Sequence, residues 1–121
     1  MSMDKLIAEV KECVEREYGR AGAKFGLTNH SDHESYAVLL EELQEAEQEV
    51  AHFKKALTDF WYFVKNDYVD HDKFAECQEM ERRALLGACE MIQVAAMAKK
   101  AALTVCDRGA INELKEGGWS E

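Results

Sequence analysis

Apolar residues recur along this chain at helical spacing, and no stretch shows the alternation of a strand. From residue 3 to about 18, Leu6, Ile7, Val10 and Val14 share one helical face. A Gly-containing stretch, "GRAGAKFGLTNH", then predicts a loop. Ser31 and Glu34 form an S-x-x-E capping box that starts a second helix. That helix carries Tyr36, Leu43, Val50, Leu57 and Val64 at seven-residue intervals, with Leu39, Ala46, Phe53 and Phe60 as a second row. Such heptads predict packing against another long helix. "NDYVDHD" reads as a turn, and a third helix is expected from about 72 to 107. The tail from about 109 to 121 is polar and Gly-rich, which predicts a loose end.

The fold expected is therefore all-α, a short N-terminal helix followed by a long antiparallel helical hairpin, in one domain over residues 1–121. The absence of proline permits helices of that length. A lone hairpin has too little depth to bury the apolar rows, so two or more copies are expected to assemble into a bundle.

Charge narrows the functions. A net charge of −9 opposes nucleic-acid binding, which needs surplus Lys and Arg, and a polyphosphate substrate would need a bridging cation. No apolar run reaches the length of a membrane span, and the N-terminus lacks a signal-peptide core, so no membrane association and a cytoplasmic location are expected. Cys13, Cys77, Cys89 and Cys106 include no CxxC pair and read as reduced thiols.

The second helix is unusually acidic, with Glu41, Glu42, Glu45, Glu47 and Glu49 in nine positions. At 100° per residue Val38, Glu42, Glu45 and Glu49 share a stripe away from the Leu43 row. Glu47 and Glu49 read more simply as solvated flank charges. The third helix places Glu90 among Leu86, Gly87, Val94 and Met97. A carboxylate in an apolar stripe needs a partner or a metal. Either a Tyr or Lys partner, or convergence with the acidic stripe around a divalent cation, satisfies Glu90; oxygen ligands suit Mg²⁺ or Mn²⁺.

"EELQE" at 41–45 resembles the E-E-x-x-E signature of the MazG-like, all-α nucleotide pyrophosphohydrolases, and "EMIQVAAMA" resembles their later E-x-x-D helix. "HESYAVLLEELQEA" and "IQVAAMAKKA" are similar to small phage and prophage members, over roughly residues 26–103. The resemblance implies a homodimer or homotetramer that cleaves a nucleoside triphosphate to monophosphate and pyrophosphate with Mg²⁺. It implies Glu42, Glu45 and Glu90 as metal ligands, with Glu41 supporting them in catalysis. Gln93 stands at the fourth ligand position, where the pattern has Asp; an amide can coordinate but brings no charge. Lys24, Asn29, Lys99 and Lys100 are candidate substrate contacts, and taken singly read more simply as surface lysines and a loop cap. The alternative is a non-catalytic helical assembly or adaptor protein on the same scaffold, which Gln93 favours.

Overall fold

The computed structural model describes residues 2–107, and the expected loose tail lies outside them. Three helices account for almost all of it: α1 (Met3–Phe25), α2 (Asp32–Lys65) and α3 (Asp70–Cys106), with no strand among the described residues. None of these helices is long and apolar enough to cross a membrane.

α1 runs further than its sequence suggests, straight through Gly19 and Gly22. The reason is local. Leu27 folds back over Gly22, where a Cβ would meet the Leu27 side chain, and the Tyr18 hydroxyl donates to the Leu27 carbonyl at 2.8 Å. The helix ends one turn later at Gly26, whose φ of +94° suits glycine and whose N–H returns to the Gly22 carbonyl at 2.8 Å.

The expected cap of α2 forms, with a shift in one half. Ser31 Oγ accepts from the Glu34 N–H at 3.1 Å, whereas the Glu34 carboxylate reaches past Ser31 to the His30 N–H at 2.7 Å. That backbone bond, followed by the bond to the His30 ring, holds the Glu34 carboxyl below its ordinary range.

The α2–α3 connection is a Schellman turn. Tyr68 N–H donates to the Phe63 carbonyl at 3.0 Å and Asp67 N–H to the Val64 carbonyl at 3.3 Å, with Asp67 at φ 55°. The rings of Phe63 and Tyr68 stack at 4.7 Å, supplying the hydrophobic contact such a turn favours.

The chain divides into two compact units. One holds residues up to Glu41 and from Ile92 onward; the other is Glu42–Met91. In the first, Ala96, Lys100 and Thr104 form the buried stripe of α3 at four-residue spacing, joined by Gly22 and Ser35. The second is an antiparallel hairpin: Glu45 meets Glu90, Glu49 meets Arg83, and Lys55 feels Glu76, so α3 numbers fall as α2 numbers rise. Its buried residues are Ala46 and Ala56.

One sequence expectation changes here. The α2 face turned to α3 within this hairpin is centred on Glu42, Glu49 and Ala56, not on the Leu43 row. Leu43, Val50 and Leu57 remain 39%, 51% and 49% exposed.

Candidate metal centre

Glu42 and Glu45 stand three residues apart on α2, and the antiparallel hairpin sets Glu90 of α3 opposite them. One carboxylate oxygen from each lies within 4.8 Å of the others. Glu42 and Glu90 are half-buried and Glu45 is exposed, so the cluster opens to solvent on the Glu45 side.

The group is electrostatically uncomfortable. The Glu90 carboxyl is pushed above its ordinary range, first by burial, then by the Glu45 charge, a hydrogen bond to Glu45 and the Glu49 charge. Burial and neighbouring like charge both disfavour the ionised form of Glu90. A divalent cation would relieve both.

Glu49 is not the free flank charge its sequence suggests. Arg83 of α3 donates to it at 2.9 Å, and both side chains are about four-fifths buried. Arg83 also donates to Glu79, one turn back on its own helix, at 2.8 Å. These bonds, the Glu79 bond foremost, raise the arginine above its ordinary range, and Arg83 holds Glu79 below its own. The sequence does contain the signal: Arg83 precedes Glu90 by seven residues and so shares its helical face.

Most of the remaining candidates have structural partners. The Gln93 amide donates to the Glu17 carboxylate of α1. Glu17 is held below its ordinary range, by Arg20 first and Gln93 second. Lys99 pairs with Glu15 at 3.0 Å and lies 5.4 Å from the centre of the Tyr18 ring. Lys100 is buried, with the Glu34 charge nearby. Lys24 sits over its neighbour Phe25 at 5.2 Å. Asn29 braces its unit: its N–H donates to Thr104 Oγ and its amide to Ser35 Oγ, each at 2.8 Å. Glu41 is exposed on α2. All of these lie in the first unit, whereas Glu42, Glu45 and Glu90 lie in the second.

The donor set fits a hard cation. Mg²⁺ binds oxygen at about 2.1 Å, which places its ligand oxygens roughly 3 to 4 Å apart, a small side-chain adjustment from the spacing here. No family model, curated protein or solved structure matches the chain.

Proposed function

We propose that the chain is a divalent-cation-dependent nucleoside triphosphate pyrophosphohydrolase. The observation that carries the reading is the convergence of Glu42, Glu45 and Glu90 from two helices, with Glu90 raised. A bound Mg²⁺ would supply charge neutralisation between these carboxylates and phosphate oxygens. The three carboxylates would hold the cation, whose charge would offset the burial and like charge that raise Glu90. The exposed Glu45 is the member positioned to orient a water from solvent. Glu49 is tied to Arg83 and so stands beside the three carboxylates with a counter-ion of its own.

The test is pyrophosphate release from a panel of nucleoside triphosphates with Mg²⁺ or Mn²⁺, for the wild-type chain and for Glu90→Gln. Cation-dependent release that disappears in the variant supports the reading. No release with any nucleotide, together with no calorimetric Mn²⁺ binding, would sink it. The engagement of Gln93 by Glu17 favours the second reading, a helical assembly or adaptor protein on the same scaffold.

A further inference from the structure

A groove of about 330 Å³ runs along the Glu42–Met91 hairpin beside the carboxylates. Ala46 and Met91 line its near end. Ala46 stands one turn after Glu42 on α2, and Met91 follows Glu90 on α3, so the groove begins where the cluster ends. At 100° per residue, Ala46 lies about 40° to one side of Glu42 and Glu45 about 60° to the other. The groove and the exposed Glu45 therefore flank the cluster from opposite sides.

The walls suit a flat ring. Ala84, Gly87 and Ala88 keep the α3 wall near backbone level, and Phe53 lines the α2 wall. The volume is at the lower end of the range for small-molecule sites, about 300 to 1,000 Å³. Glu49 and Arg83 are the polar residues of this lining. Nε and Nη1 of Arg83 donate to Glu79 and Glu49. Those bonds leave further N–H groups of the guanidinium unspent among the described residues.

We propose that this groove seats the base of the nucleotide, and that Arg83 makes guanine the preferred base. The inference rests on the pyrophosphohydrolase reading of the same hairpin. A nucleobase is planar, apolar on its faces and polar at its edge, which matches an apolar slot with an arginine in its wall. Phe53 and Met91 supply aromatic and thioether contacts to the ring. Guanine presents two neighbouring acceptors, O6 and N7, to a guanidinium fork, whereas adenine sets an amino donor there. A base in the groove leaves its phosphates at Glu42 and Glu90. Water then reaches them past Glu45, from the opposite side, as an in-line attack requires.

Calorimetry on the full chain with Mn²⁺ tests it, using GMP, AMP and inorganic tripolyphosphate as probes. GMP is expected to bind about tenfold tighter than AMP. Ala88→Phe and Ala84→Leu fill the groove from exposed positions, while far-UV circular dichroism stays helical. Each weakens GMP binding about tenfold and leaves the affinities for Mn²⁺ and tripolyphosphate unchanged. Arg83→Lys keeps a positive charge beside Glu49 but loses the fork, and so erases the preference for GMP over AMP. GMP binding indifferent to both filled-groove variants, with Mn²⁺ and tripolyphosphate still bound, overturns the groove and leaves the pyrophosphohydrolase reading standing. Equal affinity of the wild type for GMP and AMP overturns the role of Arg83. Absence of Mn²⁺ binding overturns the seat together with the reading it rests on.

Discussion

Arg83 bonds Glu49 across the hairpin at 2.9 Å, and so gives a counter-ion to one of the two carboxylates whose charge bears on Glu90. The acidic stripe of α2 is thus divided. Glu49 pairs with Arg83, while Glu42 and Glu45 cluster with Glu90.

Glu90→Gln should stabilise the metal-free protein at neutral pH and abolish its response to metal. Burial raises the Glu90 carboxyl in the folded state, so the folded chain binds more protons than the unfolded one just above the ordinary glutamate range. Wild-type stability from this group is therefore full at lower pH and lost as pH rises through the raised value. Partial exposure screens the effect, so the slope is shallow. Mn²⁺ at a hundred times its dissociation constant should add about 2.7 kcal/mol to the wild type and nothing to the variant. Thermal melts from pH 4 to 8, with and without Mn²⁺, check both parts.

Arg83→Ala should lower the melting temperature and move Glu90 further up. It leaves Glu49 four-fifths buried with its cross-hairpin counter-ion gone, and the Glu49 charge already acts on Glu90 in the raising direction. Carboxyl NMR titration of Glu90 in the variant measures this. A Glu90 titration unchanged from wild type would show that the pair does not shield the cluster.

Gln93→Asp should destabilise the chain by about 1 kcal/mol. The amide that donates to Glu17 is replaced by a carboxylate facing a carboxylate, so the Glu17 value should rise and the loss should shrink as pH falls through it. Urea unfolding at pH 4 and pH 7 gives the comparison. If the variant instead gains Mn²⁺ affinity in calorimetry, position 93 belongs to the metal centre.

Asn29→Ala should cost stability, about 1 to 2 kcal/mol, without changing Mn²⁺ affinity. Its side chain serves Ser35, which is buried, and its backbone position depends on Thr104. Thr104→Val removes the acceptor for the Asn29 N–H and should cost a similar amount. Chemical denaturation and Mn²⁺ calorimetry on both variants separate a structural brace from a substrate contact.

The sequence by itself determined the three helices and most of their ends, because helix signals are local: heptad spacing, the Ser31 cap and missing proline act within a few residues. It also placed Glu42 and Glu45 on one face and marked Glu90 as anomalous, since periodicity converts numbering directly into angle. Tertiary structure decided the rest. α1 runs on through Gly19 and Gly22, and Leu27, just beyond the helix, folds back over Gly22 and accepts from the Tyr18 hydroxyl. The side of α2 that meets α3 depends on which face offers small residues and an ion pair, not on which is most apolar, so Ala46, Ala56 and Glu49 turned inward and Val50 did not. Partner choice for Gln93, Lys99 and Asn29 rests on contacts across more than seventy residues. Spacing along one helix carries no information about those.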